Sequence, residues 1–107
     1  MATELELYDM IPEQEITSTN TLVDLYTAPS NKIPFLTSLI VVNLSGAAAT
    51  VEIWDGDKQR LFTLKLAADE VKKLSGDDLK GFRATTGSIK VKTDQQPIRV
   101  SGTVILK

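Results

Sequence analysis

The side chains of this sequence that could support acid–base or metal chemistry are two pairs of aspartates. One pair lies in Asp55-Gly56-Asp57 and the other is Asp77-Asp78. Paired carboxylates can bind a divalent cation or share a proton, but the first fragment lacks the remaining ligand positions of a calcium-binding loop. Both pairs also suit β-turns, in which an aspartate accepts hydrogen bonds from nearby backbone N–H groups. The sequence therefore favours two turns over a metal site.

Nucleophilic catalysis finds no support in the residue types. The chain has 107 residues and contains neither cysteine nor histidine. It therefore lacks a thiolate, a disulfide framework, the commonest general base and the commonest metal ligand. No serine is followed by lysine in a Ser-x-x-Lys motif, and no glycine-rich phosphate loop is present. We predict no enzymatic activity and no cofactor.

Trp54 is the one residue that could serve as a sugar-stacking platform. It is out of phase with Val51 and Ile53, so we expect its side chain on the opposite face of their strand, next to the following turn. A single tryptophan makes a small carbohydrate platform, whereas tryptophan is enriched in protein interfaces. We expect Trp54 to cover the edge of the fold or a subunit contact, with a carbohydrate-binding module as an alternative.

The elements that position these side chains are short strands. Valine, isoleucine and threonine supply 28 of the 107 residues, and their branched side chains suit a pleated surface. Turn signals recur about every 8–12 residues, which predicts one all-β domain, an antiparallel β-sandwich of jelly-roll or immunoglobulin-like type. Only residues 67–74 could form a helical turn instead. The predicted strands cover residues 22–27, 35–44, 51–54, 62–66, 71–74, 79–84, 89–92 and 98–106.

Residues 35–44 form the most apolar run and are apolar on both faces of the predicted strand. Regular alternation places Leu36, Ile40, Val42 and Leu44 on one face. The other face then carries Phe35, Leu39 and Val41. A strand that is apolar on both faces is central, or is covered by another chain on its second side.

Basic side chains follow the last two predicted strands. If residues 89–92 pair with residues 98–106, Lys90, Lys92 and Arg99 form a basic stripe on the outer face. The turn between these strands is Thr93–Pro97, in which proline ends the loop.

The charges are distributed asymmetrically along the chain. Residues 1–26 contain six acids and no base, whereas the rest contains 12 bases and eight acids. We predict an extended acidic N-terminal arm over residues 1–20 and a sandwich over residues 21–107. The arm is either a solvated tail or a segment that docks on a basic face of its own chain or of a neighbour. The acidic start also predicts no secretory signal. The sequence has no aromatic–basic cluster for nucleic acid and no apolar run of about 20 residues for a membrane span.

Residues 22–54 (LVDLYTAPSNKIPFLTSLIVVNLSGAAATVEIW) resemble small β-sandwich virion proteins of tailed bacteriophages. In that pattern a strand ending in Leu-Tyr-Thr-x-Pro precedes a short turn. A long apolar strand ending in Asn, a Ser-Gly loop of small residues and an alternating strand then follow. The matching segments here are residues 25–29, 30–32, 36–43, 45–46 and 51–54, and residues 66–70 and 101–104 resemble later parts of the same pattern. Asn31 and Asp69 stand where the pattern has glycine.

The resemblance implies a structural part of a virion that is assembled in the host cytoplasm. It implies first a head decoration (cement) protein, and as an alternative a neck, tail or fibre component. The partners would be the major capsid protein, other virion proteins and further copies of the chain, with a homotrimer favoured. The side chains that we expect at protein contacts are Leu5, Leu7, Tyr8, Met10, Ile11, Phe35, Leu39, Val41, Trp54, Lys90, Lys92 and Arg99.

Overall fold

Two four-stranded antiparallel sheets pack against each other in the computed structural model, which describes residues 7–79 and 81–107. This confirms the predicted all-β sandwich. Sheet A has the strand order β1-β8-β3-β6 and sheet B the order β2-β7-β4-β5. The strands are β1 (Leu7–Ile16), β2 (Val23–Thr27), β3 (Pro34–Asn43), β4 (Ala49–Asp55), β5 (Gln59–Leu66), β6 (Val71–Ser75), β7 (Ser88–Thr93) and β8 (Ile98–Leu106).

The core lies between the inner faces of the two sheets. On β8, Ile98, Val100, Val104 and Leu106 point inward, as their alternation predicts. The facing sheet contributes buried side chains from β4 and β7, which are Val51, Ile53, Ile89 and Val91. Because each strand places every second side chain between the sheets, the remaining side chains form two outer faces.

Tight turns connect several of these strands. The turn predicted at Asp55-Gly56-Asp57 joins β4 to β5 as a hairpin, and Gly56 in it has φ 54°. Asn31 and Asp69, which replace the glycines of the phage pattern, also have positive φ, at 65° and 63°. Asparagine and aspartate tolerate this conformation better than other non-glycine residues. Both departures from the pattern are therefore compatible with turns.

A β-bulge in β3 makes the predicted facing of residues 35–44 wrong. The pairing of β3 with β8 shifts between Leu36 and Ser38. Beyond the shift Leu39 and Val41 are fully buried between the sheets, and Ile40 points outward. An extra residue inserted into one strand reverses the facing of every residue that follows it. Leu39 and Val41 are therefore core residues and cannot contact another chain.

Gly102 on β8 accommodates this bulge. A Cβ atom at this position would collide with the carbonyl oxygen of Ser38 and would also press against the backbone of Leu39. The absence of a side chain at Gly102 lets the two backbones approach at the point where the register changes.

The predicted pairing of residues 89–92 with residues 98–106 is wrong, and so is the basic stripe. β7 belongs to sheet B and β8 to sheet A, so Thr93–Pro97 carries the chain from one sheet to the other. Both strands carry apolar side chains at alternate residues. The apolar face of β7 packs against the apolar face of β8 across the core, and the two strands do not pair within one sheet. Lys90 and Lys92 consequently lie on one outer face of the sandwich and Arg99 on the other.

Residues 67–84 differ from the sequence prediction in two places. Residues 71–75 form the strand β6, so the helical alternative for residues 67–74 is wrong. The strand predicted over residues 79–84 is absent from the described part of that segment. A 3₁₀ helix ends there at Leu79, and Arg83 makes one isolated bridge to Phe35. Gly81 has φ 86°, which turns the chain between the buried side chains of Leu79 and Ala84.

The structure differs from the predicted arm over residues 7–16, which form the edge strand β1. This strand pairs with β8 of the same chain from Leu7 to Ile16. Ile11 and Ile16 are buried in the core, so β1 belongs to the sandwich. The part of the predicted arm before Leu7 lies outside the described residues.

Replacing Gly102 with alanine should destabilise the fold, because the added Cβ forces the bulge of β3 away from β8. We expect Gly102→Ala to lower the free energy of unfolding by about 1–3 kcal/mol, as measured by urea denaturation. Gly76→Ala is the control, because a Cβ at Gly76 meets no atom within 4 Å. Equal stability of the two variants would contradict the role given to Gly102.

Truncating Ile11 tests whether β1 is part of the core. Ile11→Ala should lower the free energy of unfolding by about 2–5 kcal/mol because it leaves a cavity, whereas Met10→Ala on the exposed side should change it by less than about 0.5 kcal/mol. The measurement is chemical denaturation followed by Trp54 fluorescence. A small effect of Ile11→Ala would mean that residues 7–16 do not hold the sandwich together.

Candidate protein-contact surface

The outer face of sheet B is charged, and several of its charges pair within the molecule. Lys90 Nζ lies 3.0 Å from Asp57 Oδ1 and 3.6 Å from Asp24 Oδ1. Its hydrogen bond to Asp57 raises the pKa of Lys90 above its ordinary value. Arg60 Nη1 on β5 lies 3.9 Å from Glu52 Oε2 on the neighbouring strand β4. Covering this face with a partner would require these charges to be removed from water.

Trp54 lies on this charged face beside the β4–β5 turn, as predicted. Its side chain is half-buried, and its indole N–H donates a hydrogen bond of 2.9 Å to Glu52 Oε1. The hydrogen-bonding group of the indole is therefore already used within the molecule.

The outer face of sheet A has a different character. Its two central strands, β8 and β3, direct a single charged side chain outward, Arg99, and Glu13 Oε1 of β1 lies 3.0 Å from it. The centre of the face is formed by aliphatic and hydroxyl side chains. These are Ile40 and Val42 on β3 and Ser101, Thr103 and Ile105 on β8.

Three of the hydroxyl groups on this face bond to one another. Thr103 Oγ1 lies 2.7 Å from Thr37 Oγ1 and 2.7 Å from Ser38 Oγ, at the bulge of β3. Since these groups already have partners, another surface could cover them without leaving them unpaired.

One end of the same face carries aromatic side chains. Tyr8, Ile105 and Phe35 lie side by side on β1, β8 and β3. Two cations lie over the ring of Phe35, with Lys107 Nζ 5.0 Å and Arg83 Cζ 5.8 Å from its centroid. This end therefore combines apolar area with positive charge.

The large apolar side chains that the described residues leave exposed all belong to sheet A. Their exposed fractions are Leu7 49%, Tyr8 71%, Met10 68%, Ile40 37% and Val71 50%. Leu7, Tyr8 and Met10 are on the edge strand β1, and Val71 is on the opposite edge strand β6. Apolar area that remains exposed in this concentrated form is typical of protein interaction surfaces.

The predicted contact residues are divided by the structure. Leu7, Tyr8 and Met10 are exposed and Phe35 is half-buried on sheet A, together with Arg99. Trp54, Lys90 and Lys92 lie on the outer face of sheet B, whereas Ile11, Leu39 and Val41 are core residues. Leu5 lies outside the described residues. Sequence reasoning missed Ile40, Val42 and Val71, because the signal for the first two is a bulge that alternation alone does not reveal.

Asp78 behaves as a local turn residue, whereas Asp55 ends strand β4 and its carboxylate bonds to a loop 30 residues further along the chain. Asp55 is buried, and its two carboxylate oxygens accept four hydrogen bonds of 2.7–3.0 Å from the N–H and hydroxyl groups of Thr85 and Thr86. Burial alone would raise the pKa of Asp55, but the bonds from Thr86 and Thr85 together lower it below its ordinary value. Asp78 accepts a hydrogen bond from the N–H of Ser75 at 3.2 Å. Within residues 7–79 and 81–107, no three acidic, histidine or cysteine side chains form a group that could hold a metal ion.

Comparison with known proteins assigns the chain to no family. No protein-family model matches it, and no curated protein is significantly similar to it. No helix in the described part of the chain is long and apolar enough to cross a membrane. A functional assignment therefore depends on the two outer faces and on the resemblance carried by residues 22–54.

The carboxylate of Asp55 should make the stability of the protein depend on pH. Its pKa in the folded chain is below the value of about 3.9 expected on unfolding. The stabilisation is therefore present above about pH 4 and is lost as the pH falls through the folded pKa. We expect Asp55→Asn to lower the free energy of unfolding at pH 7 by about 1–3 kcal/mol and to flatten its decrease in acid.

The control for this prediction is Asp77→Asn at an exposed position. Urea denaturation from pH 7 to pH 2.5 compares both variants with the unsubstituted protein. An acid dependence that Asp55→Asn leaves unchanged would contradict the assignment.

Proposed function

We propose that the protein is a non-enzymatic structural component of a tailed-phage particle, specifically a capsid decoration protein that stabilises the head through protein–protein contacts. The observation that carries this proposal is the outer face of sheet A, whose two central strands direct one charged side chain outward and which bears the exposed apolar side chains of Tyr8, Met10, Ile40 and Val71. The resemblance of residues 22–54 to phage virion proteins supplies the kind of partner.

The face of sheet A suits a contact that must form in water and persist. Interface centres are depleted in charged residues, and this face has one outward charge on its central strands, already paired with Glu13. Three of its hydroxyl groups, those of Thr37, Ser38 and Thr103, bond to each other, so a covering surface gains the apolar area of Ile40 and Val42 at a small desolvation cost. Sheet B, with its paired charges, is the face suited to solvent.

The partners in this proposal are the major capsid protein and further copies of the chain. A homotrimer matches the arrangement that the resemblance implies, and the location is the assembled virion. Support for contacts with neighbours also comes from Leu7, Tyr8 and Met10, which β1 leaves exposed at the edge of the sheet.

Binding to capsid shells tests the proposal. The shells are assembled from the major capsid protein encoded in the same stretch of genome, and bound protein is measured by co-sedimentation. We expect the unsubstituted protein to sediment with the shells and Ile40→Glu to weaken binding at least about tenfold, or ~1.4 kcal/mol, because it places a carboxylate in the apolar contact.

Lys65→Glu is the matched control, since it puts the same residue at an exposed strand position of sheet B, and it should bind normally. Equal binding by Ile40→Glu would show that sheet A is not the contact face. A genome stretch without virion genes would contradict the virion role. Quantitative gels of purified particles should show many copies per head, whereas a few copies at one end would indicate a neck or tail component.

A further inference from the structure

We propose that copies of this chain associate head to tail, with β1 of one copy adding to the open edge of β6 in the next copy. The contact pairs Leu7–Met10 with Val71–Leu74 in antiparallel register and continues sheet A from one subunit to another. β1 and β6 are the outermost strands of sheet A. The association does not depend on a virion role, because it uses only the two edges of this sheet.

Strand direction permits this contact between copies in the same orientation. The four strands of sheet A alternate in direction, because every neighbouring pair is antiparallel. With an even number of alternating strands, β1 and β6 run in opposite directions. A copy that joins the β6 edge with its own β1 therefore makes an antiparallel pair, and copies joined in this way can close into a ring, as in the proposed homotrimer.

The backbone groups at the two edges fit the proposed register. Lys107 and Ile33 exchange backbone hydrogen bonds. Because successive residues of a strand point their backbone groups to opposite sides, those of Ile105 face β3 and those of Val104 and Leu106 face β1. Their partners Asp9 and Leu7 therefore face β8, so the N–H and C=O groups of Tyr8 and Met10 face the open edge. Consistent with this, the N–H of Met10 donates to its neighbouring carboxylate, Asp9 Oδ1, at 2.9 Å.

The same reasoning applies to β6. The N–H of Asn43 donates to the carbonyl of Glu70, which directs Glu70, Lys72 and Leu74 toward β3. Val71 and Lys73 therefore present their backbone groups to the open edge. In the proposed register Tyr8 lies opposite Lys73 and Met10 opposite Val71, so the residues whose backbone groups point toward the open edge face each other on both strands.

The side chains in this register are complementary at all four positions. On the outer face Met10 meets Val71, and the ring of Tyr8 meets the ammonium group of Lys73. On the inner side Asp9 lies opposite Lys72 and Leu7 opposite Leu74. Pairs of this kind stabilise antiparallel strands, and the contact would cover four of the five large apolar side chains that the described residues leave exposed.

The length of the open edge also fits. Beyond Ile11 the pairing of β1 with β8 is interrupted at Pro12 and Glu13, and Glu15 adds a further charge. Proline and bulges prevent edge pairing, so the part of β1 that can pair at its open edge is Leu7–Ile11. In the proposed register four residues of this stretch lie opposite four of the five residues of β6.

Acidic side chains next to β6 are held in local contacts. The carboxylate of Glu70 accepts the N–H of Ala67 at 2.8 Å, and that of Asp78 accepts the N–H of Ser75 at 3.2 Å. Asp9 Oδ2 accepts the hydroxyl of Tyr26 at 2.6 Å. When the Met10 N–H pairs with Val71, Asp9 Oδ1 becomes available to Lys72, whose charge is the nearest one across the new contact.

Self-association of the full chain tests the contact. Sedimentation velocity over a concentration series should show species larger than a monomer for the unsubstituted protein. Lys72→Glu places like charges opposite Asp9 and should weaken association at least about tenfold, or ~1.4 kcal/mol. Lys65→Glu makes the same charge change on β5 and should associate normally. Monomers at every concentration, or equal effects of the two substitutions, would overturn the proposal.

Met10→Pro separates edge pairing from folding. Its N–H faces the open edge and not β8, so the subunit should fold, as judged by its circular dichroism, while association is lost. If Met10→Pro unfolds, Tyr8→Pro is the alternative variant, because it removes the other N–H group of β1 that faces the open edge. Folded proline variants that associate as well as the unsubstituted protein would show that this edge is not used.

Engineered cysteines test the register, since the chain has none of its own. Leu7 and Leu74 form a pair without mutual hydrogen bonds, in which the Cα atoms are about 4.5 Å apart, within the range of a disulfide. A mixture of Leu7→Cys and Leu74→Cys proteins should form the mixed disulfide dimer. The control mixture, Leu7→Cys with Lys65→Cys, should not. Dominant cross-linking of Leu7→Cys to itself would indicate a two-fold contact and overturn the head-to-tail arrangement.

Discussion

The close approach of the Ser38 carbonyl to Gly102 determines the arrangement of sheet A. It allows β3 to carry one extra residue against β8, and that residue decides which apolar side chains enter the core. Leu39 and Val41 turn inward, and Ile40 turns outward. The same shift places Thr37 and Ser38 within hydrogen-bond distance of Thr103. One backbone contact therefore defines both the packing of the core and the aliphatic centre of the face that we assign to protein contacts.

A second set of contacts fixes β1 to its own sandwich. The hydroxyl of Tyr26 on β2 donates to Asp9 at 2.6 Å, and the side-chain amide of Gln14 donates to the carbonyl of Asp24 at 2.6 Å. Burial, with the Asp9 carboxylate, raises the pKa of Tyr26 to about 12, and the bond from Tyr26 lowers the pKa of Asp9. These two hydrogen bonds attach β1, at the edge of sheet A, to β2 of sheet B. The strand therefore stays in the sandwich while its open edge remains available to another chain.

The sequence allowed prediction of the fold class, most of the strands and the hairpin at Gly56, because alternation and turn residues are local signals. It did not allow prediction of how β7 and β8 are arranged. The alternation of apolar residues that begins at Ile89 and at Ile98 is the same whether the two strands pair side by side or face each other across the core. The facing of Ile40 depends on a bulge that only the partner strand reveals. The acidic charge of residues 7–16 suggested an arm, although Ile11 and Ile16 have the spacing of a strand that allows a bulge.

The faces and the edges of the sandwich suggest a division of tasks. Sheet B pairs several of its charges through Lys90 and Arg60, so water is a suitable neighbour for it. The central strands of sheet A direct one charge outward, Arg99, and its two edges carry opposite charges at Asp9 and Lys72. If its edges join copies, the outer faces of neighbouring subunits lie in one continuous surface, and the apolar area presented to a further partner grows with each copy. Weak contacts of a single subunit would then act together, as multivalent contacts do. Pro12 and the bulge beside it confine the joint to one short register, which favours a defined assembly over indiscriminate edge pairing.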